Sequence, residues 1–101
     1  MIVVANRIPV AKGQGEAFEE RFQKRAKKVD AMKGFVRNEV LRPVESDYYV
    51  ILTYWEDQES FKAWTTSEEF KEAHKSRPPA DMFAGPNVFE MHEVIDTTSK
   101  A

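Results

Sequence analysis

Three side chains stand apart from an otherwise ordinary sequence. Asn6 interrupts the apolar opening "IVVANRI", and Trp64 and His74 lie ten positions apart in "FKAWTTSEEFKEAHKSRPP", a charged, helix-like run that stops at a double proline. His74 is the sole histidine of the two helical regions. Its companion, His92, falls in the last strand-like run on one face with Val88 and Val94, where a structural or interface role suits it. The two lack zinc-type spacing, and neither HExxH nor DxDG occurs. A metal site here would therefore take a single histidine from the protein, and haem is the common group held that way. The plainer role for such a histidine is to complement the negative end of a helix dipole.

Asn6 shares a strand face with Ile2, Val4 and Ile8. If that face packs against helices, the amide needs partners, because leaving it unmet costs ~1–3 kcal/mol. It is either a satisfied core or edge amide or one that faces a ligand. Trp64 follows Phe61 by three positions, the spacing of a helix core face. A tryptophan can also form one wall of a flat, aromatic ligand pocket. Phe22 and Arg25, in the first helical region, would add an apolar wall and a cation able to pair with a carboxylate. Glu16, Glu19, Glu20, Glu68 and Glu69 read as solvated helix faces and helix-end charges. With no GxSxG and no phosphate-cradling glycine loop, hydrolase and nucleotide chemistry lack support.

The elements that must position these residues are legible from periodicity. "IVVANRIPV" is β-branched and alternating, which predicts a strand over Ile2 to Ile8, and Pro9 suggests a sheet edge. From Glu16 to Met32, Phe18, Phe22, Ala26, Val29 and Met32 recur at helical steps, with acids in front and "KRAKK" behind. Gly34 is placed to cap that helix, "FVRNEVLR" resumes a strand, and "YYVILTYW" predicts a strand buried on both faces. Asp57 can cap a second helix from Gln58. Thr66 and Glu69 have the spacing of a capping box in its middle, which predicts a kink or restart. An unbroken helix would leave Trp64 and His74 about 80° apart around its axis. "KSRPPADMFAGPNV" reads as a loop, "VFEMHEVI" as a final strand, and the tail at 96–101 as frayed.

The order β-α-β-β-α-β is that of an α+β, ferredoxin-like fold with helices on one face of an antiparallel sheet. The other face then needs a cover, and a second copy of the same sheet in a two-fold homodimer is the commonest one. With 101 residues, no linker and no internal repeat, residues 1–101 read as a single domain. A net charge of -2 with cations dispersed among acids provides no field for nucleic acid. The absence of cysteine removes disulfides, thiolate metal sites and thiol catalysis. The opening apolar run is too short to span a bilayer and has no basic leader, so no membrane association is expected and the cytoplasm is the simplest location.

"ANRI", "WEDQESFKAW" and "SEEFKEAHK" together closely resemble the IsdG-type haem-degrading monooxygenases, within the wider antibiotic biosynthesis monooxygenase fold group. The likeness runs from about Ile2 to Ile95, and "GFVRNEVLRPV" is similar to the mycobacterial branch. The resemblance implies that His74 is the axial haem ligand, Trp64 the bulky residue pressing the porphyrin out of plane, and Asn6 the distal hydrogen-bond donor. It implies Phe22 as a pocket aromatic and Arg25 as a residue near the haem edge. It further implies a dimer whose two sheets close into a dimeric α+β barrel, with one haem cleft per subunit. Haem would be both cofactor and substrate, opened with dioxygen and an external reductant, supplied by a reductase, to a bilin-like product and free iron. The loop from Lys75 to Asn87, with three prolines, departs from the family pattern beside the implied ligand. Two other functions fit the same fold: a cofactor-free monooxygenase of an aromatic small molecule, and a non-enzymatic haem carrier or sensor.

Overall fold

A computed structural model describes residues 1–24, 29–75 and 77–100. Four strands, β1 (Ile2–Ile8), β2 (Phe35–Leu41), β3 (Tyr49–Trp55) and β4 (Val88–Glu93), form one sheet in the order β2-β3-β1-β4. Every pairing is antiparallel. Between them lie α1 (Gly15–Gln23), α2 (Gln58–Thr65) and α3 (Glu68–Ala73), with 3-10 turns at Val29–Ala31 and Ala80–Met82. This is the expected ferredoxin-like α+β arrangement.

Strand β1 is an inner strand between β3 and β4, not an edge strand. Pro9 follows the last ladder residue, so its missing N–H limits where the strand stops and not where it sits in the sheet. Helix α1 is shorter than the periodicity predicts: it closes at Gln23 with Lys24 as its cap, and the chain is a 3-10 turn by Val29. Ala26, expected on that helix's apolar face, lies outside the described residues. Strand β3 is fully buried only at Tyr49 and Trp55, because a single chain covers one face of the sheet.

The covered face holds two clusters. Ile8, Phe18, Tyr49 and Met82 pack beneath α1, while Val4, Trp55 and Trp64 pack beneath α2 and α3. Trp55 is completely buried, with its ring edge-on to Phe35 and Phe61 and tilted against Trp64. The opposite face carries Val3, Ala5 and Arg7 of β1 beside Val50, Leu52 and Tyr54 of β3. His92 pairs with Val3 on that same open face, away from the helices.

Gly34 has a φ of +83°, and a Cβ there would come 2.1 Å from Ser60 Oγ. A side chain is thus excluded twice, by backbone conformation and by the close approach of α2. The Gly34 carbonyl accepts from Glu56 N–H at 2.8 Å, tying the start of β2 to the entry of α2.

Candidate functional site

Between the helices and the covered sheet face lies a cleft of about 560 Å³, within the range usual for small-molecule sites. Asn6, Phe22, Trp64 and His74 all line it. The structure therefore brings together four of the five residues singled out by sequence; Arg25 lies outside the described residues.

The break between α2 and α3 sets two of the four. Asp57 caps α2 as expected, accepting from Ser60 N–H at 2.8 Å. The expected restart is present but one residue later than the Thr66–Glu69 pattern places it. Ser67 Oγ accepts from Phe70 N–H at 3.1 Å and caps α3, whereas the Thr66 hydroxyl turns back to the Lys62 and Ala63 carbonyls. Thr66 is still closing α2, so only the next residue has the extended backbone an N-cap requires. Across the break, the ring centres of Trp64 and His74 are 6.3 Å apart.

His74 ends α3, with its ring stacked at 4.0 Å on Phe70 and Nδ1 2.8 Å from the Phe70 carbonyl oxygen. A carbonyl can only accept, so Nδ1 carries the proton and Nε2 keeps its lone pair. This arrangement fixes tautomer and ring orientation, as in metal-binding histidines. The acceptor belongs to the same helix four residues back, which sequence did not single out. Among the described residues, no group of three or more His, Cys, Asp or Glu side chains could hold a metal ion.

Asn6 stands on the sheet floor of the cleft. Its Oδ1 accepts from Asn87 Nδ2 at 2.8 Å, which defines the orientation of the amide and leaves its NH2 group available as a donor. The partner comes from the end of the 75–87 loop, itself pinned to the end of β1 by Ala11 N–H on Met82 O and Ala84 N–H on Pro9 O. Phe22 belongs to the α1 wall, its ring tilted against Phe18, which is in turn tilted against Tyr49. That wall is cross-linked by a polar cluster. Arg42 Nε donates to Glu19 Oε2 at 2.9 Å, and the Tyr49 hydroxyl donates to the same carboxylate. The Arg42 and Tyr49 hydrogen bonds hold the Glu19 carboxyl down at about 2, while burial and the Glu19 charge push the Tyr49 hydroxyl up.

Other lining residues were not anticipated. Asn38 and Thr53 occupy inward-facing strand positions, the same parity that drew attention to Asn6, and that signal was available. Arg21 is next to Phe22 on α1, whereas Arg77 and Pro78 reach the cleft from a loop with no periodic signal. Apolar walls, one histidine with an available nitrogen, amide and hydroxyl groups on the floor and guanidinium groups at the sides suit a flat, apolar ligand with anionic substituents.

The profile of the family described as antibiotic biosynthesis monooxygenase matches residues 1–76. The chain is 40% identical over 101 residues to a heme oxygenase (staphylobilin-producing) of Staphylococcus haemolyticus, covering 97% of this chain and 94% of that protein. It is 34% identical over 96 residues to a heme oxygenase (mycobilin-producing) of Mycobacterium tuberculosis, covering 94% and 90%. Among solved structures, the heme-degrader MhuD of M. tuberculosis with two hemes bound in its active site superimposes with a TM-score of 0.82. That alignment has 31% identity and covers 98% of this chain and 100% of that one. SnoaB, a cofactor-independent oxygenase of Streptomyces nogalater (N63A mutant), has a TM-score of 0.73 at 22% identity, covering 98% and 97%, a likeness of fold alone.

Proposed function

Because the chain belongs to the antibiotic biosynthesis monooxygenase family, we propose that it is a haem-degrading monooxygenase that opens the macrocycle with dioxygen and electrons from an external reductase. The observation that carries this reading is His74, with Nδ1 bonded to its own helix carbonyl and Nε2 available in a cleft that Asn6 and Trp64 also line. Relatives named as heme oxygenases support it across more than nine-tenths of the chain. Haem, as both cofactor and substrate, brings the iron at which dioxygen is activated and the ring that is oxidised.

The protein's own contributions follow from the residues. His74 Nε2 would hold the haem iron, and the Nδ1–H bond to Phe70 O would strengthen the ring as a donor. Asn6 offers its NH2 group from the sheet side, with the amide oriented by Asn87. A preorganised donor is worth ~3 kcal/mol where a bound ligand excludes water from it. Trp64, held by Trp55 and Phe70, presents a rigid aromatic surface that would contact the ring of a bound haem. Phe22 forms the opposing apolar wall, and Arg25 takes an anionic substituent of the ring.

The working assembly is a homodimer in which the open sheet faces of two copies meet. That face is apolar at Val3, Val50 and Leu52, and Leu41 and Val88 are exposed on it. Among the described residues no helix is long and apolar enough to cross a membrane. The cytoplasm, where a reductase can supply electrons, is the setting this reading implies.

The test is a visible titration with hemin, followed in air after adding ascorbate with catalase present. A saturable Soret band that decays to a bilin-like spectrum with iron release is the expected result. A band that saturates and persists would indicate a carrier or sensor, and the lack of a saturable band would redirect the cleft to an organic aromatic substrate.

A further inference from the structure

The cleft floor carries a polar pair with no part in the reading above. Asn38 Nδ2 donates to Thr53 Oγ1 at 2.9 Å and to Leu52 O at 3.2 Å, and both side chains line the cleft. A hydroxyl has one proton and two lone pairs, so with Asn38 on a lone pair the Thr53 proton is directed elsewhere. Among the described residues no acceptor takes it. Thr53 has apolar surroundings on its own strand face, with Ile51 and Trp55 on either side and Val4 as its pairing partner. Valine would fill much the same space there without a hydroxyl to satisfy, so packing alone gives no reason for threonine.

Register places this hydroxyl near Asn6. Thr53 pairs with Val4 and Asn6 with Ile51, so Asn6 and Thr53 are diagonal neighbours on one sheet face, ~7–8 Å apart. Both rise from the sheet, whereas His74 enters the cleft from the end of α3. Resting on the haem-degrading reading, we propose that Thr53, oriented by Asn38, is a second hydrogen-bond donor to the small ligand held at the iron opposite His74. With Asn6 it would fix the direction in which that ligand leans over the macrocycle. It is therefore a specificity-determining residue for the site of ring oxidation.

The test uses the hemin-loaded full chain and cyanide as the axial probe, with the Thr53→Val, Thr53→Ser and Asn38→Leu variants. Hemin affinity is measured first by Soret titration in all three, so that cyanide binding is compared on fully loaded protein. Cyanide affinity should fall about three- to tenfold in Thr53→Val, the size of one hydrogen bond of ordinary net strength. It should fall less in Asn38→Leu, which keeps the hydroxyl but not its alignment, and recover in Thr53→Ser. The ratio of bilin isomers should shift in the same order. Wild-type cyanide affinity and wild-type product ratio in Thr53→Val would overturn the proposal. If Thr53→Val fails to fold, Asn38→Leu decides it: wild-type cyanide affinity and product ratio in that variant would overturn the proposal. Failure of wild type to bind hemin would sink the haem reading and this inference with it. A wild-type complex that binds hemin but leaves it intact would sink only the degradation reading, and the cyanide comparison would still decide Thr53.

Discussion

The two walls of the cleft are fastened to the sheet in different ways. The α1 wall rests on Phe18 and is tied across its outer side by Glu19, Arg42 and Tyr49, a cluster of charge and hydrogen bonds. The α2–α3 wall is held by aromatic rings, Trp64 against Trp55 and Phe70, and by a capped break in the helix. Aromatic packing is indifferent to pH and positions rigid surfaces, which suits the wall bearing Trp64 and His74. A carboxylate-centred tie is adjustable by pH and by single-atom substitution, and it fastens the wall that contributes Phe22. Aromatic packing thus holds Trp64 and His74 at the cleft, and a polar tie holds the wall that carries Phe22.

The largest expected effect comes from removing the one group that packing does not supply. His74→Ala should lower haem turnover by more than about 100-fold, beyond what loss of an outer hydrogen-bond partner costs. The far-UV circular dichroism should be unchanged because the exposed ring supports no core. Persistent turnover would remove His74 from the site. Trp64→Ala should strike both fold and site. Deleting a tryptophan that is 7% exposed costs about 3–5 kcal/mol, readable as an earlier urea midpoint, together with a change in bilin products. A variant as stable as wild type would mean that the aromatic wall is not held as described.

The polar wall should respond to pH instead. The Glu19 carboxyl lies at about 2 in the folded chain against an ordinary 4.5. A depressed carboxyl stabilises the fold above its unfolded value and loses that contribution as pH falls. Glu19→Gln should therefore melt below wild type at pH above 4.5. The gap should close as pH drops through about 2. Tyr49 works from the other side: its raised hydroxyl stabilises below its ordinary 10.0 and ceases to do so as pH rises past its folded value. A pH-independent gap between Glu19→Gln and wild type would show that the tie is steric. The smallest effect belongs to Ser67→Ala. Loss of the α3 cap should cost about 1 kcal/mol, with weaker hemin binding because the His74 end of α3 is less firmly formed. Equal hemin affinity would separate the cap from the site.

What local chemistry dictates was legible in the residues. The alternation of Ile2 to Ile8 gave β1 its observed bounds, Asp57 capped α2 as expected, and the break before α3 announced itself through the capping-box spacing of Thr66 and Glu69. Parity along β1 put Asn6 on the face that the helices cover. The misjudged features turned on strand partners or on backbone conformation that residue type does not specify. Pro9 could not reveal that β1 is central, because strand order is fixed by which faces and edges find partners far away in the chain. Thr66 and Ser67 offered the same hydroxyl, and only the backbone closing α2 decided between them.

The sequence by itself determined the element order, the inward set of side chains and, through resemblance, the family, because periodicity and capping are interactions among near neighbours. Only the tertiary structure decided that the Phe70 carbonyl would hold His74 Nδ1, that Asn87 would orient Asn6, and that Asn38 would meet Thr53. These are hydrogen bonds a few ångströms long. Two of them join residues 15 and 81 positions apart, and the third depends on a side-chain rotation that sequence spacing permits but does not choose.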